Sequence, residues 1–353
     1  MTLQSCLPPS KATDSSLQSP TYTVPSQIPF QAAQDLPSSG FTLKQQVEAL
    51  MQTGPLPSWQ CVATLPGHDS WIRSVAVSPD GRFVASGSGD KTVRIWDLHA
   101  KALLHVILDH DAWVRSVAFS PDSRTIASVS DDSTIRLWST RTGECQGILT
   151  GHTDWVRAVS FSPDGKYLFS GGQDNTVCIW KLSSGRLVHR LTGHSHWVRA
   201  IAASPDGSTL VSAGQDKTVR IHRIKGRGTN RVLEGHEEEV LSVAVSPNNW
   251  LMASAGADCT VRFWKLNSGR QITAFRAHRA SVNCIKFSPD GELLATASSD
   301  KTVRLWHINS GRPIARLAGH DGWVWSVAFA PDSKTLVSGG LDGCLKVWRP
   351  QLG

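Results

Sequence analysis

Residues 67–96 read GHDSWIRSVAVSPDGRFVASGSGDKTVRIW. Val75 and Val77 alternate with Ser74 and Ala76, and the turn formers Ser78-Pro79-Asp80-Gly81 follow. Phe83-Val84-Ala85-Ser86 comes next, then a second turn at Gly89-Asp90, then Val93-Arg94-Ile95-Trp96. A last apolar run, Leu103 to Leu108, completes the unit. Short β-branched runs with turn residues about every 8–12 positions predict a four-stranded antiparallel sheet. No helical period occurs inside the unit.

The unit recurs. His68, His110, His152, His194, His236, His278 and His320 stand 42 residues apart. Three more ladders keep the same period. They are Ser86, Ser128, Ser170, Ser212, Ser254, Thr296 and Ser338; Asp90, Asp132, Asp174, Asp216, Asp258, Asp300 and Asp342; and Trp96, Trp138, Trp180, His222, Trp264, Trp306 and Trp348. Internal repeats outrank other signals when a fold is assigned. Sheets at this period predict propeller blades rather than a helical solenoid.

The Gly-His start, the Ser-Pro-Asp-Gly turn, the Asp six residues before Trp and the period of 42 resemble the WD40-repeat family. The resemblance covers about residues 58–353, and the even spacing looks like that of bacterial members. It implies an all-β, seven-bladed β-propeller. It also implies that the His, Ser/Thr, Asp and Trp of each blade form a buried hydrogen-bonded tetrad. His222 departs from that pattern in blade four; imidazole can still donate a hydrogen bond but buries less apolar area than indole.

The chain ends soon after Trp348, which leaves no outer strand for blade seven. Leu65 stands three residues before its His, as Ile107, Leu149 and Leu191 do. Residues 58–65 are therefore expected to supply that strand and to join the termini.

Recurrent His, Ser and Asp invite a hydrolase reading. Seven equivalent copies argue for a structural device instead, because an active site breaks symmetry. There is no G-x-S-x-G, Walker loop or H-E-x-x-H, so no catalytic residue, metal or cofactor is expected.

Partner binding is expected elsewhere. Three residues after the His stand Trp71, Trp113, Trp155, Trp197, Glu239, Ser281 and Trp323. Two further on stand Arg73, Arg115, Arg157, Arg199, Leu241, Asn283 and Trp325. In the family these positions lie near one rim, called the top. If blade seven adjoins blade one, the Trp-bearing blades form a continuous arc. Two readings stand: the rings pack between loops, or they form a binding arc for a protein segment, acidic or phosphorylated.

Residues 1–40 hold eight Ser, six Pro and three charged residues, which predicts a disordered polar leader. Within 41–57, Leu43, Val47, Leu50 and Met51 share a helical face that Gly54-Pro55 ends, a short amphipathic helix and linker. Residues 1–57 carry two Lys and three acidic residues, so the chain's net charge of +7 becomes +8 for the remainder. Arg220, Arg223, Lys225, Arg227 and Arg231 cluster at one link, and Trp250 follows Pro247-Asn248-Asn249. Nucleic acid is a weaker candidate partner, since no aromatic-interleaved basic run is present.

No apolar run approaches ~20 residues, and the N-terminus has no basic or apolar signal region. Seven scattered Cys without CxxC fit a reducing compartment. The expectation is a cytoplasmic, non-enzymatic scaffold, monomeric within a larger complex. The alternative is a basic propeller associated with RNA or a ribonucleoprotein.

Overall fold

The computed structural model describes residues 58–224 and 230–351. The leader, the helix of 41–57, Lys225 and Arg227 lie outside the described residues.

Among the described residues, 28 strands form seven sheets of four antiparallel strands each. Blade one runs Ile72–Val77, Phe83–Ser88, Val93–Asp97 and Ala102–Ile107, from the channel outward. Five more blades repeat it in sequence order. Blade seven takes Val324–Phe329, Leu336–Gly340 and Leu345–Pro350 from the end of the chain, and Trp59–Leu65 from its beginning. Trp59 lies opposite Pro350 and Leu65 opposite Leu345. The propeller and its closing strand are thus as the repeat implied. Closure removes an open edge that would otherwise template pairing with other chains.

The core lies between blades. Leu65, Ile72, Val75 and Val84 pack with Ala328, Val337 and Val347 into one cluster across the closing seam. Sheets approach closely where a small residue faces a branched one. A Cβ on Gly339 would come within 2.7 Å of Ile72, so the last blade needs glycine there. The seam also carries a hydrogen bond, from the Val75 N–H to Ser326 Oγ at 3.0 Å. The same bond joins Val117 to Ser74 and Ile285 to Ser242, each at 3.1 Å.

The turn after each inner strand links neighbours on the opposite, bottom face. Ser78 donates to Asp80 Oδ1 at 2.5 Å and accepts the Phe83 N–H at 2.9 Å. The fourth turn position has left-handed backbone, with φ +75° at Gly81. Blades two, five and seven place Ser123, Asn249 and Ser333 there, at φ +61°, +59° and +55°. A side chain in that region costs about 1–2 kcal/mol. Each recovers part of it, since its oxygen accepts the N–H of Asp80, Asp206 or Asp290 from the preceding blade.

One irregularity positions the functional site. In every blade the first two strands slip register once, between Ile72 and Ser74 in blade one and at the equivalent places in the other six. The skipped residues are Arg73, Arg115, Arg157, Arg199, Leu241, Asn283 and Trp325. A bulge re-aims the side chain it carries. All seven line the central channel, which encloses about 580 Å³.

Candidate functional site: the mouth of the central channel

Two layers of polar side chains lie near the top face. The deeper one is built from the four ladders. His Nδ1 meets Asp Oδ2 at 2.6–2.9 Å in all seven blades. His Nε2 meets the Ser or Thr hydroxyl at 2.7–2.8 Å. In six blades the Trp Nε1–H donates to the same hydroxyl at 2.7–3.0 Å. In blade four His222 Nε2 takes that place, 2.8 Å from Ser212 Oγ. Since Ser212 has one proton to give, one imidazole accepts from it and the other donates to it.

Burial alone would raise the tetrad carboxyls. The His hydrogen bond and charge outweigh it and hold all seven below the usual carboxylate range. Thr92 and its counterparts through Thr302 add a backbone N–H and a hydroxyl to the other carboxylate oxygen. This Thr row shares the 42-residue period, so the sequence held the signal. The seven tetrad hydroxyls are 0% exposed. Each is already engaged by two neighbours, so none is presented to a substrate.

The upper layer is the mouth, where rings and guanidiniums interleave. Arg115 lies 4.8 Å from the Trp113 ring, 5.6 Å from Trp71 and 5.7 Å from Trp155. Arg157 lies 5.0 Å from Trp155 and 5.1 Å from Trp197. Arg199 lies 5.0 Å from Trp197, and Arg73 5.5 Å from Trp325. Trp71 meets Trp113 and Trp325 edge-on at 5.3 and 4.9 Å, and Trp323 meets Trp325 at 6.3 Å. The row therefore runs unbroken from blade seven through one to four. It is both packed and open: Trp113, Trp155 and Trp323 keep 44%, 37% and 49% of their surface exposed.

The arginines differ in their partners. Arg115 makes a forked pair with Asp131, at 2.7 and 2.5 Å. Arg199 reaches Glu239 on the next blade, at 3.0 and 2.7 Å. Among the described residues the one hydrogen bond from Arg157 goes to the Gln173 side-chain oxygen, at 2.5 Å. Asn283 bonds Ser299 at 3.0 Å. Asp131, Gln173 and Ser299 form a further ladder, one residue before the tetrad Asp. The ladder reading passed over it because its chemistry changes from blade to blade. Glu239, an interruption of the Trp row in sequence, is here the counter-charge of Arg199.

Burial and the neighbouring guanidiniums lower Arg73 to about 10 and Arg157 to about 9. Both remain cations at neutral pH.

On the bottom face Arg223 donates to Thr209 Oγ1 at 2.7 Å and to the Asn267 carbonyl at 3.1 Å. Trp250 lies 5.5 Å from the Lys265 ammonium. Among the described residues no group of His, Cys, Asp or Glu has the arrangement of a metal site. No helix there is long and apolar enough to cross a membrane.

Seven segments, 59–97, 101–139, 143–181, 185–223, 228–265, 269–307 and 311–349, match the family described as WD domain, G-beta repeat. The chain belongs to the WD40 family. Among curated WD40 relatives, a nuclear distribution protein PAC1 of Scheffersomyces stipitis is 54% identical over 37 residues, 10% of this chain and 7% of that protein. A pre-mRNA-splicing factor prp46 of Aspergillus fumigatus is 41% identical over 64 residues, 18% of this chain and 14% of its own. Its counterpart in Emericella nidulans is 39% identical over 74 residues, 20% and 16% of the two chains. These matches span less than a fifth of the relatives' length.

Proposed function

We propose that this WD40 propeller is a non-enzymatic scaffold that holds a protein partner against the mouth of its channel. One observation carries the reading: Trp113, Trp155 and Trp323 stay substantially exposed beside guanidiniums on a continuous row. Aromatic rings and arginines are the residue types that anchor interfaces. The names of relatives, a nuclear distribution protein and a splicing factor, are compatible with assembly roles. The buried tetrad hydroxyls weigh against a hydrolase. The six described cysteines are all free thiols, which suits a reducing compartment such as the cytoplasm.

The test is affinity capture from the native host with the full chain, with and without nuclease. Trp113→Ala and Trp323→Ala should each weaken the main interaction by about 1–3 kcal/mol, read by titration of the purified partner. Partners that survive nuclease and depend on these rings support the scaffold. Partners lost on nuclease treatment favour a ribonucleoprotein role, for which the net charge of +8 on residues 58–353 and the prp46 matches speak. A nuclease-resistant partner indifferent to both substitutions would move the interface away from the mouth.

A further inference from the structure

The turns of the bottom face repeat as the tetrads do, and blade five departs from the rule. The third turn position is Asp80, Asp122, Asp164, Asp206, Asp290 and Asp332 in six blades, and Asn248 in blade five. Two positions on stand Arg82, Arg124, Lys166, Ser208, Glu292 and Lys334, and in blade five Trp250. Blade five has thus exchanged a carboxylate for an amide and a polar side chain for an indole. Asn248 still closes its turn, accepting from Ser246 Oγ at 2.7 Å and from the Trp250 N–H at 3.1 Å. The turn is intact, so the exchange changes what this face offers to solvent. Trp250 is 38% exposed, and among the described residues no other large apolar side chain is exposed at a bottom turn or link.

Cations close around that ring. The Lys265 ammonium lies 5.5 Å from its centre. The Trp250 carbonyl accepts the Leu266 N–H at 3.0 Å, which ties it to the link of residues 265–270. Arg223 of blade four reaches the same link through the Asn267 carbonyl at 3.1 Å. Arg231 reaches it too, since its Cδ lies 3.3 Å from where a Cβ on Gly269 would stand. Arg231, Asn267 and Arg270 are exposed. Arg223, Arg231 and Arg270 make no ion pair with a described residue. In the sequence these groups are spread over two repeats, and no run interleaves aromatic and basic residues. The fold gathers them at the seam of blades four and five.

A phosphodiester chain brings one negative charge per nucleotide and a base that can stack. Cations beside an aromatic ring are the arrangement that holds single strands. Guanidinium planes and amides, here with Asn248 and Asn267, add partners for exposed base edges and for a 2′-hydroxyl. A duplex keeps its bases stacked on one another and offers no face to the indole. A membrane surface calls for several apolar side chains on one face, and this face has one.

We propose that the seam of blades four and five on the bottom face binds single-stranded RNA, with a base stacked on Trp250 and the flanking phosphates held by Arg223, Arg231, Lys265 and Arg270. The site lies opposite the channel mouth, goes beyond the scaffold reading and does not rest on it. The propeller then holds a protein at one face and RNA at the other.

The test uses the full chain and fluorescein-labelled octanucleotides of adenine, as RNA and as DNA, read by anisotropy between about 50 and 200 mM salt. The RNA should bind at micromolar concentration and the DNA more weakly. Log K for the RNA should fall against log salt with a slope of about −2 to −3, as for three or four phosphates of a single strand. Trp250→Ala should weaken binding about tenfold and leave the slope unchanged, and Trp250→Phe, which keeps a ring, should retain most of the affinity. Arg231→Gln with Arg270→Gln should make the slope shallower by about 1.4. Arg82→Gln, on the same face in blade one, and Trp113→Ala, at the mouth, should change neither affinity nor slope. Circular dichroism and the melting temperature show that each variant is folded. No binding of the RNA at about 50 mM salt, equal or tighter binding of the DNA, or indifference to Trp250→Ala would overturn the proposal. A loss with Arg82→Gln as large as with the double Arg variant would do the same, because the attraction would then be diffuse. Loss of RNA with Trp113→Ala would move the site to the mouth. Binding of phosphatidylserine vesicles without binding of the RNA would give the surface to a membrane instead.

Discussion

The tetrad layer and the channel mouth are built from ladders of the same 42-residue period, and they have opposite chemistry. In the tetrads the same bonds recur in every blade; Thr296 keeps the hydroxyl of the Ser it replaces, and His222 alone replaces the Trp. At the mouth the bulge residue is Arg four times, then Leu, Asn and Trp, and the row facing it changes more. Tetrad side chains satisfy one another in the same way around the ring. At the mouth Arg115 and Arg199 hold acids, Arg157 an amide, and Arg73 packs on a Trp ring. A term that repeats in every blade stabilises the ring; a term that differs between blades can face one asymmetric ligand.

This contrast can be broken most severely at its base. Removing residues 59–65 strips the outer strand from blade seven and leaves Leu345–Pro350 as an open edge. The cooperative melt should be lost and the protein should aggregate, which calorimetry and size-exclusion chromatography would register. A monomeric deletion variant with a single sharp transition would mean that the ring closes without that strand.

Ser170→Ala tests the tetrad layer. It orphans His152 Nε2 and Trp180 Nε1, both buried, and should cost about 3 kcal/mol in urea unfolding. A cost under about 0.5 kcal/mol, within the range of ordinary surface substitutions, would deprive the tetrad of its structural role.

The mouth should respond with both signs. Arg115→Met leaves the nearly buried Asp131 without its fork and should destabilise by about 2–3 kcal/mol. Arg73→Met removes a cation that, among the described residues, no hydrogen bond or ion pair reaches, and should stabilise the free chain by about 1 kcal/mol. Chemical denaturation of both variants gives the comparison. A loss of equal size at both positions would mean that the four arginines are equivalent after all.

The smallest effect at neutral pH is expected at His222. Burial, with His194 and Arg220 nearby, lowers its pKa from 6.5 to about 4. Between those values the unfolded chain takes up a proton that the folded chain does not. Stability is therefore intact above about pH 6.5 and falls as the pH drops towards 4, by up to the order of 3 kcal/mol. His222→Trp should melt slightly higher at pH 7, and its advantage should widen on acidification. A gap that stays constant with pH would show that His222 does not titrate in this way.

Much of this architecture was legible in one stretch of thirty residues and its period. Blade number, turn positions and the closing strand follow from local patterning, because strands and turns are encoded by near neighbours. The four side chains that bond within each blade lie on ladders a reader can count. Less legible were Thr92, which pins the carboxylate of Asp90, and Ser123, which caps the turn of the preceding blade. Thr92 belongs to a row with the same 42-residue period, but the bond it makes is set by the turn, and Ser123 serves a neighbouring blade through a polar residue that no motif marks.

By itself, then, the sequence determined a ring of seven sheets and the set of residues on each rung. Tertiary structure decided which rungs are complete. In sequence Arg73, Arg115, Arg157 and Arg199 are four equal members of one row. In space a bulge turns each into the channel, and their fates part there. Arg115 finds Asp131 sixteen residues on in its own blade; Arg199 finds Glu239 forty residues on in the next. Where Arg115 finds Asp131, blade one has Gly89 covered by the Trp71 ring, and Arg73 pairs with no acid among the described residues. Charge compensation depends on what lies across a few ångströms of channel, and that is set by register and packing rather than by period.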